Sequence, residues 1–278
     1  MKKSYKALAT TLALGMLAIG ITAAPVFAEE EKPTADLSVS LLSKYVWRGF
    51  ELSDDSIVIQ PSMTVGYKGF AANFWGNMDT DQHEDYYTEG NTANWNETDF
   101  TLSYDGSMGM VDYGVGYIYY ALEDGLEDTQ EIYLSASLQT LLAPTLTIYR
   151  DIDVGPSTYI TLDISHSLPL SESLTLDLGA QASYYSFDNG SDAADPDDVK
   201  KGDPSPDGYS ALHTGLLSAS MTFPVGEYFT ITPEIYYSFP LSSDADDFLE
   251  IANDYDSDAK IDGETDFIYG GVTLGMSF

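Results

Sequence analysis

The acidic side chains of this chain fall into two populations with different chemistry. One set sits singly within apolar runs: Asp99, Asp112, Glu131, Asp163, Asp177 and Glu234. A carboxylate in such a run is unfavourable unless it meets water, a hydrogen bond or a cation. Rings of such carboxylates hold and pass cations. The basic residues that share these surroundings are fewer, namely Lys44, Arg48 and Lys68. The other set is clustered with Asn, Gly and Ser: Asp192, Asp195, Asp197 and Asp198, then Asp244, Asp246 and Asp247. Such clusters offer the oxygens that Ca²⁺ takes six to eight at a time. Their spacing lacks the Glu that closes an EF-hand loop, so the alternative is a solvated acidic loop. Loop-bound divalent cations are the sole cofactor the sequence offers.

Covalent or acid–base catalysis has little to work with. The chain has three His. His83 stands beside Glu84 and Asp85, a loop pattern that suits either a metal or plain solvation. His166 follows Asp163 by three residues, which on a strand puts the two on opposite faces and excludes a dyad. The pair His166-Ser167 also lacks the His-x-Ser-Asn pattern of twelve-stranded outer-membrane phospholipases. His213 stands at the beginning of the tenth strand-like run, 209–224. The expectation is a protein that is not an enzyme, with a barrel hydrolase as the least favoured alternative.

The elements that must position these residues are strands. Val111, Tyr113, Val115, Tyr117 and Tyr119 alternate with Asp112, Gly114 and Gly116. Ile160, Leu162 and Ile164 oppose Tyr159, Thr161 and Asp163, and Leu174, Leu176, Leu178 and Ala180 oppose Thr175, Asp177, Gly179 and Gln181. Period two is the signature of a sheet with one apolar face. Twelve such runs are expected, at 36–50, 56–68, 70–80, 96–106, 109–122, 130–141, 144–153, 158–169, 174–188, 209–224, 228–241 and 265–278. Pro61 and Pro233 fall inside two of them, which predicts a bulge or a slipped register there. The connections alternate: short turns such as Lys68-Gly69 and Val225-Gly226-Glu227, then longer loops at 81–95, 123–129, 189–208 and 242–264, with 51–55 and 154–157 the shorter members. Whether loops 189–208 and 242–264 fold into the interior is left open by the sequence.

Both ends of the chain indicate where these strands operate. Residues 1–28 read as a cleaved leader: basic Lys2, Lys3 and Lys6, an apolar stretch from Ala7 to Ile21, and a small-x-small site ending at Ala28. After it, 8 basic residues face 45 acidic ones, a net charge of −37, which excludes nucleic acid as a partner. No later run is long and apolar enough for a transmembrane helix, so a closed barrel is the remaining way to span a bilayer. Residues 29–35 then form a short periplasmic lead-in and 36–278 the barrel. The last run places Phe278, Met276, Leu274 and Val272 on one face and ends on an aromatic. This resembles the signal that outer-membrane barrels present to their assembly machinery. The many Tyr and Phe suit interfacial girdles.

A denser signal lies in the first third. Ser43-Lys-Tyr-Val-Trp-Arg-Gly-Phe50 is followed by Ser53-Asp-Asp55, Gln60-Pro-Ser62, Gly66-Tyr-Lys-Gly-Phe70 and Phe74-Trp-Gly-Asn-Met-Asp79. This segment, residues 37–80, resembles the opening of the TorF-type putative porins, small Gram-negative outer-membrane barrels. The resemblance implies a porin-like protein without a defined substrate. By its own local chemistry, Arg48 in this aromatic segment is expected to be held by loop or lumen carboxylates such as Asp54 or Asp55, the alternative being a rim position facing headgroups. The combined expectation is a monomeric, all-β, transmembrane antiparallel up-and-down barrel of about twelve strands in the bacterial outer membrane. Turns are periplasmic and the long acidic loops extracellular. Its expected work is passage of small solutes through a narrow, cation-preferring lumen lined by the six inward acids with Lys44 and Arg48. The alternative is a closed structural or adhesive barrel whose acidic loops bind cations or a partner. Expected partners are outer-membrane lipid, lipopolysaccharide, small solutes and, through Phe278, the assembly machinery.

Overall fold

The computed structural model describes residues 32–53, 55–81, 93–123, 127–171, 174–188, 209–254 and 263–278. The leader expected at 1–28 and the loop acids Asp192, Asp195, Asp197 and Asp198 lie outside the described residues, as do His83 and Asp54. Twelve strands close one antiparallel barrel. They are β1 (Thr34–Leu42), β4 (Val58–Tyr67), β5 (Phe70–Asp79), β6 (Asn94–Met108), β7 (Val111–Leu122), β8 (Thr129–Leu138), β9 (Thr145–Asp151), β10 (Ser157–Pro169), β11 (Thr175–Phe187), β12 (Ser210–Val225), β13 (Phe229–Pro240) and β14 (Phe267–Ser277). Each pairs with its barrel neighbours in chain order. The seam is β1 on β14, in register from Asp36↔Ser277 to Leu42↔Gly271.

The alternation sorts side chains as expected for a wall with lipid on one side. Leu37, Val39, Leu102, Val115, Leu134, Leu162 and Ile235 are exposed on the outer surface, while Thr101, Ser103, Ser135, Thr147, Thr161, Ser183, Thr232 and Thr273 are buried within. A water-soluble barrel has the reverse arrangement. Apolar outside and polar inside suits a hydrocarbon solvent, where closure leaves no unpaired strand edge.

The first expected strand, 36–50, is corrected. The wall strand β1 ends at Leu42, and residues 43–57 turn inward before β4 resumes the wall. The inward segment carries two short strands, β2 (Val46–Trp47) and β3 (Phe50–Glu51), which pair only with each other. Their turn has φ of 51° at Arg48 and 87° at Gly49. Two successive positive values make the mirror-image turn whose twist matches a tight hairpin. A second correction concerns 242–264, read as loop: residues 243–252 form a helix, α1 (Ser243–Ala252). Ser242 caps it by accepting from the Ala245 N–H, and Asp244 and Asp246 sit in its first turn, near the positive end of the helix dipole. Ala245, Phe248 and Leu249 are its buried stripe.

Pro61 and Pro233 do not shift the register. Pro61 sits opposite Val39, and the β4–β5 pairs on either side of it, Ile59↔Met78 and Ser62↔Trp75, keep one register. Pro233 sits opposite Val272. The two irregularities lie elsewhere. One is in the β5–β6 ladder, where Asn77 pairs Glu97 but Met78 pairs Trp95. The other is in β11–β12, where Ala182 pairs Gly215 but Tyr184 pairs Leu212. Each inserts a residue that the partner strand does not match, so two consecutive side chains turn inward: Asn96 with Glu97, and His213 with Thr214, all four buried. Both lie at the end of the barrel where residues 43–57 enter.

Candidate functional site

The inward hairpin and α1 occupy the loop end of the lumen. Gly49 packs against Thr214 and Leu249, close enough that a Cβ would lie 2.7 Å from Thr214 Cγ2. Phe50 meets Phe248 edge to face with ring centroids 5.8 Å apart, and Phe248 stacks on Tyr209 at 4.4 Å. Asn253, at the C-terminus of α1, stitches the pieces together. Its Oδ1 accepts from the Glu51 N–H at 3.0 Å, and its Nδ2 donates to the carbonyls of Gly49 at 3.1 Å and Glu264 at 2.8 Å. Within the hairpin, the Leu52 N–H donates to the Tyr45 carbonyl at 2.7 Å and the Tyr45 N–H to Ser53 Oγ at 2.8 Å.

At the tip, Arg48 crosses the lumen to β8. Its two terminal nitrogens donate to Glu131 Oε1 and Oε2 at 2.8 Å each, and Tyr120 Oη adds a third hydrogen bond to Oε2 at 2.9 Å. The guanidinium lies 4.3 Å from the Tyr159 ring centroid and 4.4 Å from that of Trp47, with Tyr149 and Tyr185 at 5.3 and 5.6 Å. Planar guanidinium suits both contacts: a fork for the carboxylate and a face for the rings. Burial acts to lower the Arg48 pKa, but Glu131 outweighs it and holds the group well above its ordinary range. The Arg48 carbonyl is met by His213 Nε2 at 2.8 Å, while Nδ1 lies 2.7 Å from Tyr209 Oη. A ring nitrogen facing a carbonyl must carry the proton, so His213 is assigned as the neutral Nε2–H tautomer with Nδ1 accepting from the tyrosine.

A second clip is ionic. Lys44 Nζ donates to Glu51 Oε1 at 2.8 Å and to Asp55. Burial lowers the Lys44 pKa, yet the two carboxylates more than offset it and leave the pKa raised. Glu51 is raised too, because its burial outweighs the lysine beside it.

The comparisons bear on the outline of this barrel. No family model matches the chain, and no curated protein matches it. Among solved structures, the COG4313 outer membrane channel from Pseudomonas putida F1 is similar at a TM-score of 0.47 and 10% identity, covering 88% of this chain and 94% of that one. A loop-deletion form of OmpT, an outer membrane protein of Vibrio cholerae, gives 0.39 and 7%, with 90% and 99% covered. An anion-selective porin from Comamonas acidovorans gives 0.34 and 9%, with 90% and 99% covered. These values describe a likeness of barrel outline.

The expected site residues divide by depth. Asp99, Asp112, Glu131 and Glu234 are buried on the inner face, and Asp163 and Asp177 share it half-buried. Glu131 is neutralised by Arg48. The other acids meet neutral groups: Asp112 accepts from Gln139 Nε2 at 2.8 Å, Asp163 from Gln181 Nε2 and Thr161 Oγ1 at 2.7 Å each, and Glu234 from Tyr236 Oη and Thr273 Oγ1 at 2.6 Å each. Asp177 accepts from Ser167 Oγ. Arg48 is held by the lumen carboxylate Glu131 and not by Asp55; Lys44 meets Asp55 instead, because the hairpin carries Arg48 away from its own loop. Lys68 is not inward. It sits exposed in the β4–β5 turn with its ammonium 5.2 Å from the Tyr67 ring.

Asp244, Asp246 and Asp247 lie on or beside the first turn of α1, where Asp246 accepts from Thr265 Oγ1 at 2.7 Å. Neither described histidine meets a carboxylate or serine: His166 Nδ1 lies 3.2 Å from the Leu141 carbonyl. Sequence reasoning missed Glu97 and the inward tyrosines Tyr120, Tyr149 and Tyr185, whereas Tyr159 stands on the polar face where the alternation places it with Thr161 and Asp163. Glu97 shares the parity of Asp99, which was a usable signal. The missed tyrosines were hidden by the expectation of interfacial girdles.

Proposed function

We propose that this protein is a narrow outer-membrane channel for small solutes, cation-preferring, with its bore set by the hairpin at 43–57 and by α1. The observation that carries the reading is the charge balance of the lumen. Asp99, Asp112, Asp163, Asp177 and Glu234 face inward without a basic partner among the described residues, while both inward cations are already paired. A lumen with surplus fixed carboxylates concentrates cations and repels anions. The leader expected at 1–28 and the resemblance of residues 37–80 to TorF-type porins support the outer membrane as its location. Twelve strands lie between the eight that side chains fill and the sixteen that leave an aqueous channel. An inserted hairpin narrows the bore further.

The test is reconstitution of the refolded protein in a planar bilayer under a KCl gradient. Discrete conductance steps with a cation-selective reversal potential support the reading. Replacement of Asp112 and Asp163 by Asn then reduces the preference; unchanged selectivity removes them from the pore lining. A second reading, a closed barrel with a structural or partner-binding role, is favoured by one observation, the buried Arg48–Glu131 lock across the lumen. A folded protein that never conducts would select it.

A further inference from the structure

Directly beside the hairpin, the inner face of β6 carries a column of oxygens that the protein answers only in part: Glu97 meets Tyr45 and Asp99, while Asp99 Oδ1, Thr101 Oγ1 and Ser103 Oγ have no hydrogen-bond partner among the described residues. Glu97 and Asp99 are successive inward residues, 7% and 2% exposed. Among the described residues neither forms a salt bridge. Lys44 is held by Glu51 and Asp55, and Arg48 by Glu131. The next inward residue, Thr101, is 1% exposed, and its Oγ1 makes no hydrogen bond; nor does Asp99 Oδ1. Buried polar atoms are ordinarily satisfied, and adjacent buried carboxylates need a proton or a cation between them. Ser103 and Asp105 continue the column, successive rungs being about 6.8 Å apart on a strand. At the top, the Tyr45 ring of the hairpin packs on Trp75 with centroids 5.6 Å apart, and its hydroxyl meets Glu97.

Resting on the channel reading above, we propose that Glu97, Asp99 and Thr101 form a binding site for a compact monovalent cation, an alkali ion or a primary ammonium. In this proposal the inner face of β6 is the path by which that cation passes the hairpin. The donor set argues for a single charge. Ca²⁺ demands six to eight oxygens and Mg²⁺ a near-ideal octahedron, and the described residues contain no group of three or more His, Cys, Asp or Glu able to hold a metal ion. Two carboxylates, a hydroxyl and a tyrosine edge suit a cation that keeps part of its water. Rungs of oxygen below the pair then let the ion step away, since conduction needs several sites of moderate strength.

The test has two arms, on binding and on conduction. In detergent, the folded protein is titrated with K⁺ and with methylammonium, against N-methylglucamine at equal ionic strength, and unfolding is followed. A ligand that binds only the folded state raises the midpoint with concentration. The expected result is a K⁺- or methylammonium-dependent rise that Glu97→Gln/Asp99→Asn abolishes and Thr101→Val weakens. If Thr101 is merely an unsatisfied buried hydroxyl, Thr101→Val stabilises the protein and leaves the cation response intact, which overturns the site. The K⁺ and methylammonium arms decide which cation it takes. In the bilayer, Glu97→Gln/Asp99→Asn is expected to shift the reversal potential toward zero. Cation preference unchanged in that variant overturns the proposed path while leaving the channel reading standing. Cation-dependent stabilisation without conductance removes the channel reading and leaves the binding site.

Discussion

The consequences of the Arg48–Glu131 lock can be tested directly with Glu131→Gln. The pair is almost fully buried, with 5% and 3% of the side chains exposed. Removing one member of such a pair costs about 3–5 kcal/mol, largely because the remaining charge is stranded. Two features favour the lower end. Glutamine keeps one oxygen for the guanidinium, and the four rings around Arg48 retain their attraction for it at about 0.5–2 kcal/mol each. A change of about 3 kcal/mol raises the unseated fraction of the hairpin roughly a hundredfold. Limited trypsin digestion reads this fraction, since Lys44 and Arg48 are the cleavable residues of the hairpin and both are withdrawn from solvent when it is seated. Cleavage tracks the open population when reclosing outpaces the protease. Glu131→Gln is therefore expected to be cut after Lys44 and Arg48 about a hundred times faster than wild type at the same protease concentration. The double variant Arg48→Met/Glu131→Leu is expected to restore slow cutting after Lys44, because replacing both partners of a buried pair by apolar groups is near neutral or stabilising. Unchanged cleavage in a folded Glu131→Gln barrel would show that the ion pair does not seat the hairpin.

Three further outcomes follow from the same geometry. Gly49→Ala places a Cβ 2.7 Å from Thr214 Cγ2 at a φ of 87°; backbone strain of about 1–2 kcal/mol should speed hairpin cleavage at least several-fold. Ser242→Ala removes the cap of α1, a loss of about 1 kcal/mol, which appears as roughly fivefold faster hydrogen exchange across Ala245, Phe248 and Leu249. The Lys44 clip should be alkali-labile. A raised folded pKa means that its stabilisation is fully present below the ordinary value of 10.5 and is lost as pH rises through the folded one. Trp47 fluorescence should therefore change above that pH in wild type, and Lys44→Met should lack this step.

The barrel wall was legible because its signal is repeated. Each strand carries the same two-residue alternation, and the error of one boundary is corrected by the next. The site was only partly legible, since it depends on where the chain leaves that pattern. Lys68-Gly69 and Arg48-Gly49 have the same turn chemistry, and both adopt successive positive φ values. The first lay between two alternating runs and reads as a turn; the second was absorbed into a strand because the aromatic residues around it mimic a wall. Ala245, Phe248, Leu249 and Ala252 are spaced for a helix behind a Ser cap, yet the neighbouring Asp residues drew attention to metal chemistry. The partnership of Arg48 with Glu131 could not be read from spacing, because their contact exists only once the barrel has closed around the hairpin. The two ladder irregularities were equally silent, although Asn96 and His213 owe their inward direction to them.

The reach of the hairpin's contacts sets an order of events. Arg48 is 83 residues from Glu131 and its carbonyl is 165 from His213, while Glu51 and Gly49 reach 202 and 204 residues to Asn253. Contacts so distant in sequence form slowly, after the intervening chain has been arranged. The first loop of the chain thus finds its place only after much later parts have formed. It waits for β12 and for α1, which itself lies just before the closing strand. Seating of the hairpin therefore reports on how far the barrel has been assembled: Arg48 is expected to stay accessible until β8 and β12 stand around it.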